Sequence, residues 1–494
     1  MQVFDIITPM MLMLVVIGVI GGIVFGAIPG MTATMAVAVF LPITYAFGIY
    51  ESLALLIGLY VGGISGGLVP AILLNIPGTP SSITTTFDGY PMTQRGEGAR
   101  ALKIAIIASV IGGLFSIVIL GLFAPILADV AIKFSYIEKF LIILFALTVI
   151  AALSKGSMMG GLFSGILGIL VSLIGTYSIS SGGNGKLRLV PEAFEHILKN
   201  GFSLLPVLIG LFAISTIIIG AEQGMKENKF EKIDLSKQKK FKFSVFKGQL
   251  VNLLRSSFIG TFVGMLPGVG GSAASILSYS QAKNFSKNRT KLGTGEPTGV
   301  IASESANNAL TGGALIPLLS LGIPGDSTTA VLIGAFTLQG IQVGPLFIGN
   351  NPVVWNSIIF SLLVANVVMF LVMFFSIKTI SKVVYVPKYL LYPIIIVMCV
   401  IGAYAINYGV MFDVWTLLIF GVFGWLGVKL GLQIPSFLIG FILGNSAEVY
   451  FVKSLESFGS LTIFFTKSPI ALVLWGLILL SIIFTIYNSR KSIL

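Results

Sequence analysis

Apolar runs follow one another along most of the chain, and too few polar positions interrupt them to set a helical or a strand period. The runs cover residues 8–28, 53–76, 104–127, 140–153, 160–177, 202–219, 253–279, 300–321, 330–348, 354–375, 389–408, 415–431, 436–443 and 469–486. A helix needs about 20 apolar residues to cross the hydrocarbon of a bilayer. Several runs are shorter than that, or are interrupted by Gly and Pro. The pattern predicts an all-α polytopic membrane protein with roughly ten to fourteen membrane segments, some broken or re-entrant. The first run is expected to be a spanning or interfacial helix rather than a signal peptide. Asp5 is the only charge before it, and no small-x-small cleavage site follows.

Composition narrows the class. Of 494 residues, 56% are hydrophobic and 10% are charged, against roughly 25% charged in a soluble domain. This excludes a cytosolic enzyme, a secreted disulfide scaffold and a disordered regulator. The single Cys399 allows no internal disulfide and no Cys-based metal site, and His196 alone makes no His-rich metal centre. A net charge of +12 reads as basic loops held on the cytoplasmic side, not as a nucleic-acid surface.

The polar stretch 222–247 carries Lys226, Lys229, Lys232, Lys237, Lys239, Lys240, Lys242 and Lys247 against four acids. It reads as a cytoplasmic linker, or as a segment that meets anionic lipid. The expected organisation is a first membrane repeat with following helices over 1–221, the linker over 222–249, a second repeat and following helix over 250–386, and C-terminal membrane helices over 387–494.

The repeat is explicit. Gly22, Gly26, Pro29 and Gly30 match Gly260, Gly264, Pro267 and Gly268 at an offset of 238. Gly66-Gly67 and Ile76-Pro77-Gly78 match Gly313-Ala314 and Ile323-Pro324-Gly325 at an offset of 247. The second copy thus has nine extra residues in its spacer. Matched loops carry opposite charge character. Residues 46–51 hold no basic residue, whereas 281–297 hold Lys283, Lys287, Arg289 and Lys291. Residues after the second break of copy one include Arg95, Arg100 and Lys103, while 338–350 are uncharged. Basic loops mark the cytoplasmic side, so the copies are expected to be inverted, as in secondary transporters.

Each Pro-Gly pair should end one half-helix and begin another, because proline lacks the amide donor and disfavours helix in the residue before it. Polar residues follow each break: Thr32 and Thr34; Thr79, Ser81, Ser82, Thr84, Thr85 and Thr86; Gly270, Gly271 and Ser272; Asp326, Ser327, Thr328 and Thr329. New helix N-termini with hydroxyls beside them bind a carboxylate without a buried cation. Freed carbonyls, with Asn75 or Asp326, suit Na⁺. Ser303-Glu304-Ser305-Ala306-Asn307-Asn308, between the breaks of copy two, puts a carboxylate and two amides into an apolar run, where they are costly unless used. A cation ligand, a proton carrier, a substrate contact and a helix-locking network all fit it. Asp88, just past a break, reads equally as an ion ligand and as a cap.

These motifs resemble one family. The Pro29-Gly30 and Pro267-Gly268 segments, Asn75-Ile-Pro-Gly-Thr-Pro-Ser-Ser82, Asp88-Gly-Tyr-Pro91, Ser303-Glu-Ser-Ala-Asn-Asn308 and Gly322-Ile-Pro-Gly-Asp-Ser327 are similar to the large permease subunit of tripartite tricarboxylate transporters, TctA-type. The resemblance covers nearly the whole chain. It implies a multi-pass protein of the bacterial inner membrane, with no enzymatic activity and no cofactor beyond Na⁺ as a coupling ion. It implies ion-driven uptake, by Na⁺ or H⁺, of a di- or tricarboxylate or related organic acid, with elevator-type alternating access. The implied partners are a small TctB-type membrane subunit, a TctC-type periplasmic solute-binding protein and the lipid bilayer, with a homodimer left open. The implied substrate contacts are the residues at the four breaks. Asp88, Ser303, Glu304, Asn307, Asn308 and Asp326 are the ion-coupling candidates. The alternative is a channel, or a permease that works without a binding protein.

Overall fold

The computed structural model describes residues 7–153, 158–176, 187–222, 239, 241–286, 288–459, 465 and 468–491. Most of the basic stretch 222–247 lies outside them, as does Lys287. The first helices in chain order are α1 (Pro9–Ala27), α2 (Ala33–Phe40), α3 (Ile49–Gly66), α4 (Leu68–Leu74), α5 (Thr85–Gln94) and α6 (Gly98–Ile132). Next come α7 (Tyr136–Leu153), α8 (Met158–Ser172), α9 (Glu195–Leu198), α10 (Leu204–Ile209) and α11 (Ser215–Glu222). The second copy holds α12 (Leu250–Gly264), α13 (Gly270–Phe285), α14 (Pro297–Leu321) and α15 (Ser327–Leu338). The remainder are α16 (Phe347–Asn350), α17 (Pro352–Phe375), α18 (Ile377–Val383), α19 (Lys388–Ile406), α20 (Met411–Lys429), α21 (Ile434–Phe458) and α22 (Pro469–Lys491). Two dipeptides, β1 (Gly175–Thr176) and β2 (Leu187–Arg188), pair antiparallel.

Among the described residues, eight helices are long and apolar enough to cross a membrane, and five shorter apolar helices accompany them. The all-α polytopic fold expected from the apolar runs is therefore the fold observed. The contacts divide the chain into two compact units. Unit 1 comprises 1–128, 219–265 and 270–402; unit 2 comprises 129–218, 266–269 and 403–494.

Unit 1 holds both copies of the repeat apart from residues 266–269. Gly18, Gly22 and Gly26 of α1 recur every four residues and face Gly58, Gly62 and Gly66 of α3, which do the same. A Cβ on Gly22 would lie 2.4 Å from the Leu59 carbonyl oxygen, and one on Gly66 would lie 2.5 Å from that of Ile23. Only bare backbone permits this approach, the way helices pack closely where lipid supplies no hydrophobic drive. Position numbers rise together along α1 and α3, so these helices run parallel. The chain must double back through α2 before α3 begins. Copy two repeats the arrangement. A Cβ on Gly260 would lie 2.2 Å from the Ala306 oxygen, and one on Gly313 would lie 2.3 Å from that of Thr261. Those pairs are the equivalents of Gly22 with Leu59 and Gly66 with Ile23 at the same two offsets.

The copies are inverted. Ser65 of α3 reaches Asn308 of α14, and Tyr60 reaches Asp326. The neighbouring Gly325 packs on Ala314. Moving backward along α3 therefore moves forward along α14, so these equivalent helices are antiparallel.

In unit 2, α7, α8, α21 and α22 pack together, and Gly168 of α8 meets Phe437 of α21 at backbone distance. Ile137, Leu141, Ala471 and Ile478 form the buried seam between α7 and α22.

Candidate functional site

The second break of each copy is built the same way. Helix α4 ends on Asn75 at φ 60°, and α14 ends on Gly322 at φ 75°. Both are left-handed conformations, which Asn and Gly tolerate. The amide of Ile76 donates to the Pro70 carbonyl at 3.3 Å, and that of Ile323 to the Pro317 carbonyl at 3.2 Å. Reciprocal side-chain caps then start the next turn: Thr79 with Ser82, and Asp326 with Thr329. Gly78 and Gly325 press into the helices they return to. A Cβ on Gly78 would stand 2.3 Å from the Gly26 oxygen, and one on Gly325 would stand 2.4 Å from the Gly264 oxygen.

At the first breaks, Gly30 and Gly268 take positive φ of 88° and 72°. In copy one, the Thr32 hydroxyl caps α2 by accepting from the Met35 amide at 3.1 Å. In copy two, Gly270 stands in that position at φ 71° and brings no hydroxyl. Pro29 is half-buried and Gly30 exposed. Pro267 and Gly268 fall in the stretch 266–269 that groups with unit 2, so the site described below is that of unit 1.

Across the copies, the exit of each first break meets the exit of the other copy's second break. Thr34 and Thr328 share a hydrogen bond of 2.8 Å between buried hydroxyls. In the mirrored position, a Cβ on Gly271 would lie 2.4 Å from that of Ser81 and 3.6 Å from Asn307 Oδ1. Position 81 is the counterpart of 328, and 272 that of 34. Ser272 and Ser327 flank these contacts half-buried, whereas Asn75 is exposed and Pro77 half-buried. Pro324 is buried with Gly325.

Two buried carboxylates lie in this region. Glu304 accepts from the hydroxyls of Thr85 at 2.5 Å and Ser109 at 3.2 Å, and from the Asn307 amide at 3.5 Å. Asp326 accepts from the Tyr60 hydroxyl at 2.8 Å, the Thr329 amide at 2.7 Å and the Thr329 hydroxyl at 2.8 Å. Among the described residues, neither pairs with Lys or Arg. The Ser65 hydroxyl donates to Asn308 Oδ1 at 2.6 Å. Among the described residues, Thr84 Oγ1, Ser303 Oγ and Asn307 Oδ1 are buried with no hydrogen-bond partner. Such oxygens are costly to bury unsatisfied, and an array of them with a carboxylate is chemistry that holds a hard cation.

Asp88 is held differently. Its carboxylate accepts from the Tyr279 hydroxyl at 2.8 Å and from the backbone amides of Gly293, Gly295 and Glu296 at 2.9, 2.8 and 2.7 Å. It fastens α5 of copy one to the spacer of copy two, and Arg95 donates to the Gly295 carbonyl beside it. Sequence reasoning did not single out Tyr60, Ser65, Thr85, Ser109 or Tyr279 as site residues. Of these, Thr85 alone carried a signal, as one of the hydroxyls that follow a break. In unit 2, Asn407 donates to Asp413 at 2.5 Å, although nothing in the sequence joined them. His196 is exposed and Cys399 buried.

Antiparallel equivalent helices, paired breaks and buried polar groups within a many-helix apolar chain define a multi-pass membrane protein of the inverted-repeat carrier type. The sequence model of the tripartite tricarboxylate transporter TctA family matches residues 12–439, and the chain belongs to that family. This is a transporter family, in which the TctA protein is the large membrane subunit. The chain is 33% identical over 492 residues to an uncharacterised 52.8 kDa protein in the TAR-I ttuC' 3' region of Agrobacterium vitis; the match spans 98% of this chain and 95% of that one. It is 38% identical over 234 residues to an uncharacterised protein in the TAR-II ttuC' 3' region of the same organism, covering 47% of this chain and 96% of that one. A protein of Methanocaldococcus jannaschii is 25% identical over 288 residues, or 56% of this chain and 64% of that one. No solved structure matches the chain.

Proposed function

We propose that this protein carries a di- or tricarboxylate, or a related organic acid, inward across the bacterial inner membrane. Movement is coupled to Na⁺ or H⁺, and a periplasmic binding protein delivers the substrate. A small membrane subunit completes the complex, and alternating access is of the elevator type that membership of the family suggests. The basic loops face the cytoplasm.

One observation carries this reading. Glu304 and Asp326 are buried among neutral donors, and Thr34, Thr328, Ser81 and Gly271 bring together polar groups from both copies. A carboxylate substrate entering beside buried acids meets like charge in a medium of low dielectric. A cation bound at Glu304, or a proton on it, removes that repulsion. Symport then follows from electrostatics: the anion is admitted only with its cation. Ser303, Asn307 and Asn308 add oxygens to the cation subsite. The half-helix N-termini and hydroxyls after the breaks supply the anion's donors, each charge-assisted bond contributing roughly 1.5–3 kcal/mol.

The test is uptake of radiolabelled citrate and smaller dicarboxylates into proteoliposomes holding the chain, its small subunit and its binding protein. Concentrative uptake that follows an imposed Na⁺ or proton gradient supports the proposal. Passive equilibration that ignores both gradients and the binding protein defeats it.

A further inference from the structure

Each copy clasps the base of the other copy's hairpin. Helices α1 and α2 form one hairpin, whose base is the segment 41–48 that joins α2 to α3. Helices α12 and α13 form the other, and residues 286–296 join it to α14. At the end of α15, the Gln339 side-chain amide donates to the Thr44 carbonyl at 3.4 Å, the Phe47 carbonyl at 3.4 Å and the Ser52 hydroxyl at 3.1 Å. On the opposite base, Asp88 accepts from Tyr279, Gly293, Gly295 and Glu296, and Arg95 donates to the Gly295 carbonyl. At the offset of 247, Gln339 is the counterpart of Met92, one helical turn from both Asp88 and Arg95. All of these residues lie in unit 1.

The two clasps differ in what it costs to release them. One amide NH₂ has two hydrogens to share among its three acceptors. Gln339 is half-buried, so water can take over its bonds. The acceptors also stay occupied, because the Ser52 hydroxyl donates to the Thr44 carbonyl at 2.9 Å. Asp88 is fully buried and would lose every donor at once. A buried charge stripped of its partners is strongly destabilising. The second hairpin has further ties. Leu292 of its base is buried with Tyr279, Ala282 and Ala302, and the Ser278 hydroxyl donates to the Ala302 carbonyl at 2.9 Å. On the first hairpin, Pro42 makes an apolar contact with Gly402 of α19.

We propose that Gln339 is the catch of a gate. The α1–α2 hairpin swings on its base when the catch lets go, while the Asp88 clasp keeps α12 and α13 in place. Thr34 rides on α2, so the swing parts it from Thr328 and opens the polar cluster between the copies to the organic acid. What passes the gate rests on the transport reading above; which hairpin moves does not.

The first experiment is hydrogen–deuterium exchange on the whole chain in nanodiscs, comparing residues 33–52 with residues 270–297. Amides of 33–52 should exchange about tenfold faster or more, the effect of one strong hydrogen bond on local opening. Gln339→Leu should speed 33–52 further and leave 270–297 unchanged. The second experiment places Ser52→Cys and Gln339→Cys in a Cys399→Ser background and joins the two thiols with a short bis-thiosulfonate crosslinker. Citrate uptake into proteoliposomes should be lost relative to the same protein before crosslinking, and dithiothreitol should restore it. Equal exchange in the two segments would overturn the proposal. So would faster exchange in 270–297, no response of 33–52 to Gln339→Leu, or undiminished uptake by the crosslinked protein. The exchange difference can be present whether or not uptake follows an ion gradient, so a failure of the gate and a failure of the transport reading are told apart.

Discussion

The Tyr60 hydroxyl donates to Asp326 at 2.8 Å, joining mid-α3 of copy one to the residue that caps α15 of copy two. The capping carboxylate serves two ends at once: one oxygen closes its own helix, and the other takes a donor from the opposite copy. Tyr60→Phe removes only that donor and leaves Asp326 buried with an unmet acceptor. A loss of about 1–3 kcal/mol is expected, read as a lower melting temperature. Asp326→Asn should cost a comparable amount, because its single remaining oxygen closes the cap and is lost to Tyr60. The double variant should lose less than the two singles combined, because both remove the same bond.

Glu304→Gln should leave protein level unchanged and reduce uptake by roughly tenfold or more, the value of one charge-assisted contact. It should also alter the dependence of uptake on Na⁺ or pH. Transport kinetics across both gradients check this. Unaltered ion dependence would remove Glu304 from the coupling step and leave it a helix-locking carboxylate.

The glycines at the second breaks, like those between α1 and α3, leave no room for a methyl. Gly78→Ala and Gly325→Ala drive a methyl against the Gly26 and Gly264 carbonyls, and each should cost about 1–3 kcal/mol through overpacking. Gly349→Ala, with nothing within 4 Å of its added methyl, is the control and should be neutral. Thermal unfolding in detergent separates the two outcomes.

Inverted copies place matched loops on opposite faces. Single cysteines at positions 95 and 340, in a Cys399→Ser background, should differ in labelling by an impermeant thiol reagent, with 340 reactive from outside. Equal outside labelling would contradict the charge-based orientation.

Glu97 supplies a pH signature. Burial pushes its carboxyl up, but hydrogen bonds and charge from Lys239 and Arg100 outweigh that and hold it below its ordinary value of 4.5. A carboxyl depressed in the folded state adds stability above its unfolded value and loses it as pH falls through the folded one. The melting temperature of the wild type should exceed that of Glu97→Gln at pH 7, and the difference should close as the pH drops below about 4.5. A difference that is flat with pH would mean the contact contributes no charge effect.

The repeat and its breaks were legible because Pro-Gly pairs stand out in apolar sequence and recur at two constant offsets. The inversion was legible from loop charge, and the Ser65 and Tyr60 contacts agree with it. What joins the copies was not legible. Thr34 meets Thr328 and Tyr60 meets Asp326 across 294 and 266 residues, and the Glu304 network draws Ser109 from α6, a helix with no break to mark it. Asp88 illustrates another limit. An acid just after a break suggests an ion ligand, but one of its oxygens takes three amides of the enlarged spacer of copy two and the other takes the Tyr279 hydroxyl, a pairing with no sequence signature. Gly271 and Ser81 were each visible as residues after a break. That they press together follows only from the antiparallel approach of α3 and α14.

The reciprocal contact of first and second breaks has a consequence for how such a chain arises. Neither half completes its own packing, since Thr34 bonds Thr328 and Ser81 packs on Gly271 across the copies. A shorter ancestral gene encoding one half would assemble these contacts only by inserting in both orientations and pairing its upright product with its upside-down one. Fusion of two such genes would fix each half in a single orientation. Each half would then be free to diverge, as the carboxylate at Glu304 and its apolar counterpart Ile57 have done.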